Sequence, residues 1–346
     1  YVEKALSSEL SGHIIDLCPV GALTSKPYAF VARPWELRQT ETIDVMDGVG
    51  SNIRVDSRAN EVLRVLPRLN EAVNEEWIAD KTRFAVDGLR RQRLDQPYVR
   101  IDGRLLPATW DQAFAKIAER LGLVPGERIA AIAGDQACGE SMLALKDLMA
   151  ALGSPHLDCR QDGAALDPAT RAGYLFNTTI AGIEQADLCL LIGTNPRWEA
   201  PLVNARLRKR FLRGGFAVGV IGPQVDLTYP AEYLGAGPQT LADVAACSHP
   251  FAARLAAAKS PMLVVGQGAL VARRDGAAVL ALARQIASER GLVRDGWNGF
   301  NVLHHAAARV GGLDLGFVPG PGGRSVAAIL EGCGTGAIEA VYLLGA

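Results

Sequence analysis

The chain has 346 residues, 49% of them hydrophobic and 21% charged, with a formal net charge of −1. That length buries a core without staples and gives two or three domains at roughly 100–200 residues each; the balanced charge offers no global field for nucleic acid or an anionic membrane surface. The six cysteines, Cys18, Cys138, Cys159, Cys189, Cys247 and Cys333, contain no C-x-x-C pair, which argues against a disulfide framework and a self-contained zinc site and fits a reducing compartment.

No apolar run is long enough to cross a bilayer, and no signal peptide is visible. The chain opens at Tyr1 and stops after Ala340-Val-Tyr-Leu-Leu-Gly, which reads as a buried strand, so the expectation is a chain trimmed at both ends. Residues 1–33 are short and mixed, punctuated by Pro19 and Pro27, with Pro34 next. Residues 34–95 read as β-rich: Glu41-Thr-Ile-Asp-Val and Asn52-Ile-Arg-Val-Asp alternate, and Glu61-Val-Leu-Arg-Val-Leu follows a turn at 57–60. Lys81, Arg83, Arg90, Arg91 and Arg93 then cluster and read as a solvated or interface surface.

From about 105 helices and strands alternate. Thr109-Trp-Asp-Gln112 is a capping box, and the helix behind it places Trp110, Ala113, Phe114, Ile117, Ala118 and Leu121 on one face. Strands are expected at 129–133, 187–192, 216–221 and from 261, with helices at 141–152, 201–212 and about 276–288. Continuous apolar runs such as 187–192 are those of strands buried on both faces. The β-α-β alternation predicts parallel sheets flanked by helices, an α/β fold.

The sharpest chemical feature is Cys18-Pro-Val-Gly-Ala-Leu23. A Cys followed by Pro closes bacterial ferredoxin-type motifs, whose thiolates hold iron–sulfur clusters. The proline fixes φ and brings no N–H, and Gly21 permits close backbone approach to the sulfur. By itself one Cys-Pro also suits a buried structural cysteine, and a single thiolate holds no cluster.

Longer strings carry a resemblance. Ser8 to Phe30, Arg33-Pro-Trp-Glu-Leu-Arg, Ile43-Asp-Val-Met-Asp-Gly-Val-Gly-Ser-Asn-Ile, Asn74 to Phe84, Gly88-Leu-Arg-Arg-Gln-Arg-Leu, Gly193-Thr-Asn-Pro-Arg-Trp-Glu-Ala-Pro and Trp297-Asn-Gly-Phe-Asn-Val-Leu-His resemble the large iron–sulfur subunits of respiratory complex I, the NADH:quinone oxidoreductases. The likeness runs along the whole chain and is strongest in the first 95 residues. It implies that Cys18 is the fourth ligand of one 4Fe–4S cluster, the other three lying upstream of Tyr1. The parent subunit would carry 4Fe–4S and 2Fe–2S clusters relaying electrons from NADH and flavin toward quinone.

The resemblance also implies what has been lost. In molybdenum and tungsten oxidoreductases the β-rich unit holds a further cluster through four cysteines; the matching positions here are Asp44, Asp47, Ser51 and Ala79, none a thiolate. Asp44 and Asp47 then read as polar surface or turn residues. The α/β body resembles the molybdopterin oxidoreductases, such as formate dehydrogenase. Their guanosine-binding turn falls on Gly222-Pro223-Gln224, without its carboxylate and arginine, and the metal-ligand position falls near Cys159-Arg160-Gln161-Asp162. No bound molybdopterin is expected.

Other candidates have plainer readings. Gly193-Thr-Asn-Pro ends a buried strand where open sheets place ligand loops, but lacks a dinucleotide or P-loop fingerprint. Gly311-Gly312 and Gly320-Pro-Gly-Gly323 precede a helix and suit a phosphate cradle or a structural loop. His304-His305 sit on a helix-like run, His13 reads as a surface histidine, and Arg206, Arg208, Lys209, Arg210 and Arg213 form a basic helix end favourable to the helix dipole.

Taken together, the expectation is three parts: 1–33, the end of a ferredoxin-like region; 34–95, a small β-rich iron–sulfur-like domain with its ligands lost; and 96–346, Rossmann-like parallel-sheet domains of the formate dehydrogenase type, truncated at the C-terminus. The expected role is electron relay through Cys18 plus a scaffold without a catalytic site of its own. Expected partners are the flavin/NADH-binding subunit and other peripheral-arm subunits, with no nucleic acid and no transmembrane segment. The setting is the cytoplasmic face of a bacterial inner membrane or the matrix side of the mitochondrial one. A molybdopterin-dependent oxidoreductase and a cofactor-free interaction module are the alternatives.

Overall fold

A computed structural model describes residues 6–271 and 274–346. Two compact units emerge, one joining Tyr1–Val86 to Ala164–Val310 and the other joining Asp87–Gly163 to Gly311–Ala346.

In the first unit, β1 (Arg38–Ile43), β2 (Asn52–Arg58) and β3 (Glu61–Pro67) form an antiparallel meander, with Thr40 opposite Val55 and Val55 opposite Val65. Period-two alternation puts Ile53 and Val65 on one side, where they bury Ile78. The β2–β3 reversal runs through Ala59, held at φ +52°.

The same unit contains a five-stranded parallel sheet built from β4 (Leu188–Ile192), β5 (Ala217–Ile221), β6 (Glu232–Gly235), β7 (Pro261–Val265) and β8 (Phe300–Val302). Its spatial order is β6-β5-β4-β7-β8. The chain winds outward from β4, then crosses to β7 on the other side, so the topological switch point lies between β4 and β7. Every residue of β4 and β7 is buried, as their unbroken apolar runs require. One face of the sheet, including Cys189, Leu191, Val218, Val220, Met262 and Val264, packs with Leu202, Val203 and Leu207 of the helix Pro201–Leu212.

The basic end of that helix is more than a dipole cap. Arg206, 6% exposed, pairs with Glu184 at 2.6 Å and Glu75 at 3.0 Å, and donates to the Glu71 carbonyl. Lys209 and Arg213 join the same carboxylates. Burial pushes the Glu184 carboxyl up, but hydrogen bonds from Arg206, Lys209 and Arg213 outweigh it and bring it down to about 2. The helix is thereby fastened to the loop at 71–75 that follows the meander.

In the second unit, Tyr98–Ile101 and Arg104–Pro107 form a hairpin around Asp102-Gly103, both with positive φ. The helix Trp110–Leu121 follows with its capping box formed: the Gln112 amide donates to Thr109 Oγ1 at 3.3 Å and the Thr109 amide to Gln112 Oε1 at 2.9 Å. Of its apolar face only Ala113 is buried; Trp110, Phe114 and Ile117 are exposed. A three-stranded parallel sheet sets Ile129–Ala133 between His156–Asp158 and Ala340–Leu344. The last strand, expected to be buried, is an edge strand with Tyr342 and Leu343 exposed.

His304 and His305 also depart from expectation. They lie in an irregular segment between the end of the β7–β8 pairing, where the Leu303 amide donates to Val265 O at 2.9 Å, and the next helix, which starts at Ala308. His304 turns inward to Tyr174 O, whereas His305 faces outward.

Candidate metal-ligating site

Cys18 caps the C-terminus of a five-residue helix, His13–Leu17. The chain then wraps around the sulfur. Gly21 adopts φ +66°, a left-handed conformation that glycine enters without strain. The backbone N–H groups of this loop, those of Leu23 and then Val20 foremost, hold the thiol below the usual cysteine range. Donors near a thiol stabilise its anionic form. Cys18 is only partly buried, and residues 17 and 19–24 are all exposed. The loop suits one thiolate corner of a cluster. Among the described residues no group of three or more His, Cys, Asp or Glu is placed to hold a metal ion.

The helix leading to Cys18 is gripped from the helix Asp80–Phe84. Asp80 accepts from the Gly12 amide at 2.7 Å and from Ser11 Oγ at 2.6 Å. Arg83 holds both oxygens of Asp16, one at 3.1 Å. His13 is buried rather than a surface residue, its ring centroid 4.1 Å from that of Trp77. Arg83 is 5% exposed and Lys81 is ion-paired, so these two members of the predicted basic surface point inward.

Asp44, Asp47, Ser51 and Ala79 do come together, and all four are buried, correcting the reading of the aspartates as surface groups. The Asp44 amide donates to Ser51 O at 2.8 Å. Its carboxylate accepts from Thr82 Oγ1 at 2.6 Å and the Met46 amide at 3.1 Å. Asp47 accepts from the Val49 amide at 3.0 Å and pairs with Lys81 Nζ at 2.9 Å. Lys81 also donates to Glu199 O at 3.0 Å. Burial raises the Asp44 carboxyl above its ordinary range. The site is filled by the chain's own polar groups, and residues 37–87 contain no cysteine.

The switch point between β4 and β7 is likewise self-filled. A Cβ on Gly266 would lie 2.3 Å from Thr194 Cβ, and one on Gly193 would lie 2.6 Å from Ala269 Cβ, so the loops following the two strands close on one another. The Glu199 carboxylate accepts from Thr194 Oγ1 at 2.5 Å and the Asn195 amide at 2.9 Å, and lies 3.3 Å from His305. It thus takes the loop donors that a ligand phosphate would use. Gly222-Pro223-Gln224 offers no carboxylate, and Gln224 is exposed.

In the second unit Cys159 is buried under Gly312, where an added Cβ would sit 2.8 Å from the sulfur. Asp158, paired with Arg160 at 2.8 Å, also accepts from the Val326 amide at 3.4 Å. An internal carboxylate therefore occupies the helix end that follows the glycine loop 320–323. These residues do not fit a molybdopterin.

Sequence reasoning missed Asp16, Asp80 and Glu199. The one available signal was the Asp80/Arg83 spacing, one helical turn apart.

Three family models match. Residues 93–346 match molybdopterin oxidoreductase, 37–87 match the NADH-ubiquinone oxidoreductase NDSU1/NuoG-like 4Fe-4S domain, and 1–24 match the ferredoxin-like domain of NADH-quinone oxidoreductase subunit 3. The chain is 49% identical over 346 residues to an NADH-quinone oxidoreductase subunit of Rickettsia bellii, covering all of this chain and 49% of that protein. It is 52% identical over 320 residues to the mitochondrial NADH dehydrogenase (ubiquinone) iron-sulfur protein 1 of Solanum tuberosum, covering 92% of this chain and 43% of that one. The chain thus spans about half the length of these curated relatives. Among solved structures, a formyltransferase/hydrolase complex of Methylorubrum extorquens overlaps 71% of this chain and 75% of its own, with 20% identity and a TM-score of 0.45.

Proposed function

The chain belongs to the molybdopterin oxidoreductase family, and from that premise we propose that it is part of the iron–sulfur subunit of a proton-translocating NADH:quinone oxidoreductase, relaying electrons from NADH and flavin toward quinone. The observation that carries this reading is the partly exposed Cys18 at the head of the Pro19–Leu23 loop, which turns through Gly21 at φ +66° and holds the thiol below the usual cysteine range. Relatives at about half identity, named as subunits of this oxidoreductase, support it.

A bound 4Fe–4S cluster would supply a one-electron carrier at this corner. Cys18 contributes a thiolate, the Pro19–Leu23 loop donates amide hydrogen bonds to it, and such bonds tune potential. The three parts are 1–33, the end of the ferredoxin-like region; 34–95, the meander domain without a cluster; and 96–346, the α/β scaffold. The scaffold docks the flavin/NADH-binding subunit and other peripheral-arm subunits, on the cytoplasmic face of a bacterial inner membrane or the matrix side of the mitochondrial one. No helix among the described residues is long and apolar enough to cross a membrane.

The test is Cys18→Ala in the full-length subunit within the assembled complex. One 4Fe–4S signal is expected to vanish from the electron paramagnetic resonance spectrum; an unchanged spectrum removes the relay role. Stoichiometric molybdenum or tungsten in the purified protein would instead favour a molybdopterin enzyme.

A further inference from the structure

We infer that Asp80 and Arg83 are positioning residues for the cluster thiolate: they clamp the two ends of the helix His13–Leu17 and so set where Cys18 stands. This deepens the relay reading and rests on Cys18 being a cluster ligand. A five-residue helix is not stable by its own hydrogen bonds, because nucleation costs more than so short a ladder returns. Its place must come from contacts. The loop beyond it supplies none that bury it, since residues 17 and 19–24 are exposed.

The clamp has the required geometry. Asp80 and Arg83 project from one helix a single turn apart, so their spacing is fixed. Asp80 takes the Gly12 amide and the Ser11 hydroxyl at the entry of the thiolate helix, where a carboxylate also complements the helix dipole. The Asp80 amide in turn donates to Glu9 O at 2.8 Å. Arg83 takes both oxygens of Asp16 at the exit, two residues before Cys18. A two-pronged guanidinium–carboxylate pair fixes direction as well as distance. The His13 ring against Trp77 sets the rotation of the helix about its axis.

Close approach is built into the sequence. A Cβ on Gly12 would lie 2.7 Å from Asp80 Oδ1 and 2.8 Å from Arg83 Cδ, so only glycine lets the helix seat this deeply. With Arg83 and Asp80 both on the element that follows the filled meander site, that domain has a task without holding iron: it is the jig for the neighbouring cluster.

The test uses the assembled complex with R83M, R83K and D16N, and C18A as the reference defining which signal belongs to Cys18. R83M and D16N are expected to release that cluster to a chelator about 10-fold faster than wild type, as loss of supporting contacts around a metal site does, and to shift its line shape and potential. R83K, which keeps the charge but not the two-pronged grip, is expected to fall between. If C18A removes a signal while D16N and R83M retain wild-type line shape, potential and chelator resistance, the positioning inference is overturned and the ligand reading stands. If C18A removes nothing, the ligand reading itself fails. Should R83M not assemble, D16N decides, because it changes charge without changing shape.

Discussion

At Cys18 the thiol is partly exposed, and the backbone of the following loop holds it below the usual cysteine range. At Asp44 and Asp47 every carboxylate oxygen has found a partner within the chain, and one of those partners is the ammonium of Lys81. Both places match iron–sulfur domain models, yet only one has coordination capacity left over. A metal site needs donors the protein does not itself consume. Folding alone, with the right backbone path, is no indication that such donors remain.

The largest expected break in this contrast comes from Lys81→Met. It strands the Asp47 carboxylate, 2% exposed, without its cation. Lys81 is itself partly exposed, so solvent screening lowers the cost of breaking the pair below that of a fully buried one, to about 2 kcal/mol, to be read from urea denaturation of the chain. The double variant K81M/D47L removes both charges and is expected to recover much of that loss; a K81M chain as stable as wild type would mean that the ion pair does not hold the meander site.

On the other side of the contrast, Gly21→Ala forces a side chain into φ +66° and costs about 1 kcal/mol. Displacing the loop amides that hold the thiol low is expected to shift alkylation of Cys18, followed by mass spectrometry, to higher pH. An unchanged alkylation profile would show that the loop conformation does not govern the thiol.

The smallest effect belongs to Asp44→Asn. Burial holds the Asp44 carboxyl above its ordinary range, so the folded chain retains a proton that the unfolded chain releases. Stability contributed by this group therefore falls as pH rises from the unfolded value through the raised folded value. The asparagine removes that slope. D44N is expected to match wild type in acid and to gain on it toward neutral pH, by under about 1 kcal/mol. A parallel pair of stability–pH curves would remove the assignment.

Local signals were legible where one element suffices to generate them. The capping box at Thr109 and Gln112 needs four consecutive residues, and the strands Leu188–Ile192 and Pro261–Val265 announce themselves by unbroken apolarity. The Cys-Pro loop was legible for the same reason. What stayed hidden depends on distant partners. Arg83 and Asp16 are 67 residues apart, and Lys81 meets Glu199 O across 118. No window of sequence shows that a basic cluster has turned inward. Amphipathicity gave the helix Trp110–Leu121 its face but not its cover, and Trp110 and Phe114 lie exposed. For His304 and His305 an apparent helical run gave way to an irregular segment, because Leu303 just before them is still paired with Val265.

The ammonium of Lys81 between Asp47 and the Glu199 carbonyl has a physiological corollary. A fold whose interior charge is neutralised by its own lysine does not depend on nutrient metal to stay assembled. On the proposed reading, a chain short of iron would lose the cluster at Cys18 while the meander beside it kept its shape.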